Sequence, residues 1–585
     1  MENLKYTEIL QLNKVLATKP VGKPYNIGIL SNVTINSLKE ILEYSCRVNQ
    51  IEPNIEIGNF DNIVQDSAIF NHKDLLIIFY DTLNIIDSID GLFESLDDDS
   101  YNNYKQKIFT ELSIIFENLK STPAVIFNTF SDAYYPNNIL TPSIISLFIK
   151  ELNKYLLDFA PANFILIDID KIYTQLGFKQ CIDYRFYLSS KAPYTLSFFK
   201  TYVSLIEPIL LKFNGKLKKA LIFDCDNTLW KGIIGEDGIE NIEMSSLNIP
   251  GKYFHKIQEL AVYLSQKGII IGLCSKNNEE DIKEVFKNHK DMFLKEENIV
   301  ITKINWDDKV SNLRGIANDL NIGLESIVFV DDSSFEVNLI KEQLPEVLTL
   351  QVPTNLSEYP DFLLKKVFHY FNLSLTSDDV QKTTMYKEQF KRVNAKFEFN
   401  NIEDYLASLE IELEIKMNDT ECISRISQLT QKTNQFNLTT YRYTETQIQQ
   451  FMNQDKNFIF SMSVKDKFGD NGLTGVCILK EDKEKIKEIN IDTLLMSCRI
   501  IGRNIEYTFL DYIIDFIKDS GYESISAQFI PTLKNMQVVK LYDTLRFKLE
   551  EESEKFKQYR IELNSYKPLK IDYIKLSNTH SRNSV

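Results

Sequence analysis

Short runs of apolar residues alternate with longer amphipathic stretches over the first two-thirds of the chain. Residues 25–30 (YNIGIL), 75–80 (LLIIFY), 124–127 (AVIF) and 164–169 (FILIDI) lack the polar alternation of a half-exposed strand. Being apolar on both faces, they predict strands of a parallel sheet covered by helices on each side. The stretches between them, such as 37–50 and 101–119, are long enough for crossover helices, which gives an α/β three-layer unit. A second α/β unit follows Asn214-Gly215, with strands at 220–223, 269–274, 299–302 and 326–330, a helix at 252–267 and an end near residue 355.

A polar, helix-patterned connector (356–400, including DDVQKTTMYKEQFKRV) leads to a region of different character. There the pattern reads helix 404–409, strand 411–416, helix 424–431, strands 458–464, 475–480 and 488–496, helix 504–519, strand 524–529 and helix 533–545, an α+β order. At roughly 100 to 200 residues per domain, a chain of 585 residues holds about three domains. The expected boundaries are 1–215, 216–375 and 376–585.

Charge narrows the partners. Lys and Arg number 66 against 82 Asp and Glu, a net charge of -16, and such a surface repels nucleic-acid phosphates and anionic lipid. The seven cysteines are scattered, which argues against a disulfide scaffold or a zinc site. The five histidines are no better placed for a metal. Any metal is therefore expected to be hard and bound by oxygen. With no apolar signal-peptide core at the start and no run of about 18 apolar residues, the expected location is cytoplasmic.

The densest chemistry lies in LIFDCDNTLW, an apolar strand ending in Asp224-Cys225-Asp226-Asn227-Thr228. Strand alternation puts Asp224 and Asp226 on one side, about 7 Å apart at Cα, with Cys225 turned away. A carboxylate can accept a phosphoryl group as an aspartyl-phosphate while a neighbouring carboxyl serves as acid and then base. Magnesium suits such ligands, since it prefers carboxylate oxygens and neutralises phosphate charge. Three later features extend the site. Strand 269–274 ends in Ser275-Lys276-Asn277-Asn278, whose hydroxyl and amides suit phosphate oxygens; Lys309 offers a cation; and IVFV ends in Asp331-Asp332, further metal ligands.

This ordered set resembles the four motifs of the haloacid dehalogenase-like (HAD) phosphatases. The resemblance implies Asp224 as nucleophile, Asp226 as general acid/base, Thr228 and Ser275 as phosphate-binding hydroxyls, Lys309 as the phosphate-orienting cation, and a Mg2+ site formed by Asp224, Asp226, Asp331 and Asp332. The gaps between motifs leave no room for a large cap, so the site is expected to be open and to suit a bulky substrate. DCDNTLWKGIIGEDG, CSKNNEED, NWDDKVSNL and VFVDDSSFE look like the FkbH-like group of HAD subfamily IIIC. The likeness continues at QLTQKTNQFNLTTYRY, DKFGDNGLTGV, MSCRIIGRNIE and IPTLKNMQVVKLYDTLRF. Cys225 departs from the aliphatic residue usual there.

That resemblance implies handling of a small phosphorylated acyl substrate, 1,3-bisphosphoglycerate, with loss of phosphate and loading of a glyceryl thioester on the phosphopantetheine arm of an acyl carrier protein. The alternative is a plain phosphatase with the third domain as a binding module. The third domain is similar to the GNAT acyltransferase fold. Within it, Arg499, Gly502 and Arg503 partly match a coenzyme A or phosphopantetheine phosphate loop at a helix N-terminus, with Asn504 replacing the usual last small residue. Cys498, beside this loop, is the candidate acyl-holding thiol, and Cys274 the alternative. Asn434, Gln435 and Asn437 either line an acyl or carrier pocket or form a helix end and turn. Arg499, Arg503 and Lys534 are expected to form a basic entrance for an acidic carrier. The N-terminal domain is similar to an SGNH hydrolase, with Ser31-Asn32 after its first strand and Asp183 near its end. The histidine expected after Asp183 is missing and the only one in the domain is His72, so a noncatalytic domain is expected.

Overall fold

A computed structural model describes residues 4–20, 24–86, 90–135, 143–371, 401–454, 456–481, 487–532 and 534–577. The expected connector segment DDVQKTTMYKEQFKRV lies outside the described residues. The chain divides into two compact units, Met1–Leu210 with Tyr443–Gln450, and Leu211–Arg442 with Phe451–Val585. The architecture is mixed α/β, with two parallel sheets and one mixed sheet.

In the first unit, strands β1 (Tyr25–Ser31), β2 (Pro53–Ile57), β3 (Leu75–Phe79), β4 (Val125–Asn128) and β5 (Phe164–Ile167) form a sheet of order β2-β1-β3-β4-β5. All its pairs are parallel. Helices such as Asp98–Leu119 and Ile144–Phe159 bury Leu112, Ile115, Phe148 and Leu152 against Leu76, Ile78 and Phe127. The apolar-run criterion misses β2 because PNIEI alternates buried and exposed, as an edge strand does.

The second unit holds two sheets. The first comprises β6 (Ala220–Phe223), β7 (Ile270–Ser275), β8 (Ile301–Ile304), β9 (Ile327–Asp331) and β10 (Leu348–Gln351), in the parallel order β10-β9-β6-β7-β8. The sequence pattern overlooks β10, a short strand after a helix. The expected end near 355 falls short, because helix Tyr359–Tyr370 places Tyr359, Leu363 and Val367 in the same core as Leu221, Phe223 and Phe254. Between Trp230 and Met244 the chain forms one bridge, Lys231 to Glu243, around the short helix Ile234–Asp237.

The second sheet has eight strands: β11 (Ile411–Met417), β12 (Phe458–Asp466), β13 (Gly469–Glu481), β14 (Glu488–Met496), β15 (Ser524–Phe529), β16 (Lys548–Glu552), β17 (Lys557–Glu562) and β18 (Ile574–Leu576). The long helix Ile505–Asp519 covers one face, burying Phe509, Ile513 and Ile517. The run 533–545, expected as a single helix, contains only a 3-10 turn at Met536–Val538 and a short helix at Leu541–Thr544.

β14 and β15 pair in parallel only from Glu488 with Ser524 to Ile491 with Ala527. Beyond that they diverge, and the chain's own segment Phe436–Leu438 enters the gap. Leu438 N–H donates to Leu494 O at 3.1 Å, Met496 N–H to Phe436 O at 2.9 Å and Ile530 N–H to Leu438 O at 2.8 Å. Backbone groups freed by the divergence are thus satisfied internally, while Phe436 and Leu438 are buried in the apolar core.

Candidate functional site

The order β9-β6-β7 sets three strand ends side by side. Phe223 is in register with Val330 on one flank and Leu273 on the other, so Asp224, Asp331 and Ser275 emerge on one edge. Neighbouring strands lie about 4.8 Å apart, close enough for their terminal side chains to meet. Ligand crevices in open α/β sheets lie at this carboxyl edge.

Lys309 completes the group from outside the sheet. It opens helix Lys309–Leu320, whose N-cap Asp308 accepts a hydrogen bond from Ser311 N–H at 2.8 Å. Its Nζ sits 3.0 Å from Asp224 Oδ1 and 2.7 Å from Asp331 Oδ2, and all three side chains are buried. Burial works against the Lys309 charge, but the two carboxylates outweigh it and hold the ammonium above the ordinary lysine range. Burial pushes the Asp224 carboxyl up to about 7, against the pull of Lys309, with Asp331 adding to the rise. Asp332 is raised by burial and then by Asp331.

Carboxylate oxygens of Asp224, Asp331 and Asp332 lie within 4.8 Å of one another. An all-oxygen, carboxylate-rich set of this size fits a hard divalent ion such as magnesium. Asp331 is oriented by Ser333 N–H, which donates to its Oδ1 at 2.8 Å.

The Asp226 carboxylate is not one of that group. Its Oδ1 accepts from Trp230 Nε1 at 2.9 Å and Ile234 N–H at 3.1 Å, and its Oδ2 from Asn277 Nδ2 at 2.9 Å. The turn that carries it passes through Asn227 in the left-handed region, φ 50°, a conformation asparagine tolerates. Asn277 also donates to Ser275 Oγ at 3.2 Å. It thereby links Asp226 to the Asp224 side of the site. Sequence reasoning used SKNN for its hydroxyl and backbone amides and overlooked this side chain, as it did Glu336, which receives Lys276 Nζ at 2.7 Å.

Thr228 is fully buried with no hydrogen-bond partner for its hydroxyl, and its carbonyl accepts from Tyr359. Cys225 lies in the apolar cluster with Leu221 and Phe223. Every residue between 216 and 371 is described, and no cap domain occurs there. Trp306, at the same edge, is 71% exposed.

Other expected site residues are placed elsewhere. Arg499 and Arg503 are buried, not presented to a ligand: Arg503 Nη1 pairs with Asp466 Oδ2 at 2.8 Å and Arg499 Nη2 donates to Asn471 O at 3.3 Å. Lys534 pairs with Glu325 at 3.0 Å. These three form no basic entrance, and Gly502 provides a left-handed turn, φ 82°, before helix Ile505–Asp519. Asn437 is fully buried, donating to Thr433 O at 3.3 Å and accepting from Thr440 N–H at 2.9 Å. Asn434 bridges Gly215 O and Arg442, and Gln435 keeps a buried Oε1 without a partner. Asn434 and Asn437 are therefore structural, framing the segment that fills the divergence of β14 and β15.

Cys274 is fully buried among Ile222, Ile270 and Phe329, and burial drives its thiol far up. Cys498 is half-buried and packs on the outer side of that cluster. Its carbonyl lies at Asn321, the C-cap of the helix that Lys309 begins. That helix has 12 residues, about 18 Å at 1.5 Å per residue, which separates Cys498 from the carboxylate site. In the first unit, Ser31 Oγ bonds Val33 O and Asp183 pairs with Arg185. His72 lies against Ile69 O, so no hydrolase triad is assembled from them.

No protein-family model and no curated protein matches the chain. Among solved structures, the N-terminal, phosphatase-domain-containing part of a Bacteroides fragilis protein, complexed with Mg, is 25% identical, with TM-score 0.54. The alignment covers 64% of this chain and 100% of that one. The likeness to the FkbH-like group holds. Acetyltransferases also match over 26% of this chain, with 10% identity and TM-score 0.21 for the ribosomal-protein-S18-alanine N-acetyltransferase of Escherichia coli. A Salmonella typhimurium acetyltransferase solved with acetyl-CoA matches over 27%, with TM-score 0.21. Among the described residues no helix is long and apolar enough to cross a membrane.

Proposed function

We propose that the protein is a magnesium-dependent phosphatase of HAD type that works on a phosphorylated acyl unit and passes that unit on as a thioester. The observation that carries the phosphatase reading is the convergence of Asp224, Asp331, Asp332 and Lys309 at adjacent strand ends. The Bacteroides fragilis neighbour, with its phosphatase domain and Mg, supports it.

Asp224, Asp331 and Asp332 would hold magnesium, which supplies neutralisation of phosphoryl charge. Asp224 attacks phosphorus through a carboxylate oxygen, forming the aspartyl-phosphate as the ester oxygen leaves. Asp226 protonates that oxygen and then takes a proton from the water that releases phosphate. Because Trp230 and Ile234 both occupy Oδ1, the oxygen that carries the proton is Oδ2, which Asn277 alone contacts. Lys309 and the Ser275 hydroxyl bind the phosphoryl oxygens. The test is Asp224→Asn: magnesium-dependent phosphate release is lost, and undiminished turnover rejects the site.

The finer reading is a glyceryl unit from 1,3-bisphosphoglycerate loaded on an acyl carrier protein, with Cys498 as the intermediate acyl thiol. It rests on the FkbH-like motifs and on an uncapped site that admits a tethered substrate. Intact-mass measurement of a carrier protein after incubation detects the adduct, and a glyceryl adduct persisting on Cys498→Ser protein rejects that thiol. One observation favours the second reading, a phosphatase with a binding module: Phe436–Leu438 fills the space between β14 and β15. Phosphate release without carrier adduct decides for it.

A further inference from the structure

An exposed tryptophan stands on one flank of the carboxylate site, and none of the steps proposed above uses it. Trp306 follows β8, whose Ile304 is in register with Ser275 of β7. Asn305 N–H donates to Ser275 O at 3.2 Å, and the Asn305 and Asn312 side-chain amides exchange hydrogen bonds at 2.8 and 3.2 Å. Asp307 N–H adds another, to Asn305 Oδ1 at 3.0 Å. The loop is thus pinned, and so is the indole, whose Nε1–H donates to Asn278 Oδ1 at 3.0 Å. Yet the ring is 71% exposed. A large aromatic face held in one orientation and left in water can take up a ligand at little cost in conformational freedom.

Its place decides which part of a substrate it meets. The metal-binding carboxylates Asp331 and Asp332 follow β9, on one side of the β6 strand that carries Asp224. Asp226, which the proposed function assigns to the leaving oxygen, is held from the other side. Its Oδ2 accepts from Asn277 Nδ2 at 2.9 Å, in the segment that follows β7. Asn278, the next residue, is the one that holds Trp306. The leaving group therefore lies on the β7 and β8 flank, alongside the indole. Phe335, also exposed, is in the helix after β9, on the opposite flank.

Charge narrows the leaving group further. Glu280 and Asp307 are exposed in the two segments that the indole joins, and Asp281 accepts from Asn278 Nδ2 at 3.1 Å. The lysines there are committed, Lys276 to Glu336 at 2.7 Å and Lys283 to Glu279 at 2.8 Å. A leaving group with an anionic charge of its own is repelled by these carboxylates. A flat, neutral one is not, and it can lie on the indole face.

We propose that Trp306 is a specificity-determining residue, the platform on which the leaving group of a phosphate monoester lies. The favoured leaving group is an extended, uncharged, amide-bearing chain. This deepens the phosphatase reading and rests on it.

The experiment compares phosphate release from three monoesters: 4′-phosphopantetheine, with a long neutral diamide chain; glycerol 3-phosphate, short and neutral; and 3-phosphoglycerate, short and anionic. The parent is expected to prefer them in that order of kcat/KM. Trp306→Ala is expected to raise KM for 4′-phosphopantetheine about tenfold relative to that for glycerol 3-phosphate, with kcat little changed. Trp306→Phe retains the preference, and Phe335→Ala leaves it as in the parent. A second readout needs no turnover. Of the two tryptophans Trp230 is fully buried, so acrylamide quenching of fluorescence reports on Trp306. In Asp224→Asn protein with magnesium, 4′-phosphopantetheine is expected to shield the indole from acrylamide and glycerol 3-phosphate to leave it accessible. Equal KM shifts for all three monoesters, no shift in Trp306→Ala, or an indole left unshielded overturns the platform. If the parent releases phosphate from none of the three, the phosphatase reading fails and the shielding measurement alone decides the platform.

Discussion

Asp224 owes its reactivity to two opposed influences, burial that raises its carboxyl to about 7 and the Lys309 ammonium that pulls it down. Below that value a proton competes with the metal for the same oxygens. Apparent magnesium affinity is therefore expected to fall as pH drops through 7, approaching about tenfold per unit, and to level off above it. Magnesium titrations of phosphate release at pH 6 and pH 8 check this. Asp224→Asn removes the proposed nucleophile and is expected to cut turnover by more than about a thousandfold. Asn277 positions Asp226 through one hydrogen bond. Asn277→Ala is expected to lower kcat about ten- to a hundredfold, with KM little changed and the pH profile shifted. An unshifted profile with a matching loss of folded protein would assign Asn277 a merely structural role.

At the scale of elements, much was legible and the failures are instructive. The β6 motif was readable because four apolar residues run directly into acidic ones, and both Lys309 and Asp331 sit where an element begins or ends. β2 and β10 escaped because short edge strands carry neither a long apolar run nor a turn signature. The fate of Thr433–Asn437 was unreadable for a different reason: a polar run after a helix serves equally as a pocket lining or as a turn, and only the divergence of β14 from β15 decides between them. Phe436 anchors that insertion from within the core, and Phe436→Ala is expected to cost about 3–5 kcal/mol. Chemical denaturation of the variant measures the loss. Asn535 Nδ2 donates to Asn437 O at 2.9 Å and is fully buried; its removal strands a buried acceptor.

At the scale of the molecule, residues 211–442 and 451–585 share one compact unit, and the helix from Lys309 to Leu320 separates the carboxylate site from Cys498. Cys498 lies at its far end, so Cys498→Ser is expected to leave phosphate release within about twofold of the parent. A large loss in a direct phosphate-release assay would mean that the thiol acts in that step.

The sequence by itself determined the local chemistry: which carboxylates end strands and which lysine opens a helix. Those follow from periodicity and residue type, which are properties of neighbours along the chain. The tertiary structure alone decided that the Asp226 carboxylate is held by Trp230, Ile234 and Asn277. It likewise decided that Arg499 and Arg503 are spent on internal partners. Each of those outcomes depends on groups distant in sequence meeting at a few ångströms, where hydrogen bonds and charge pairs are won by whichever partner the packing delivers.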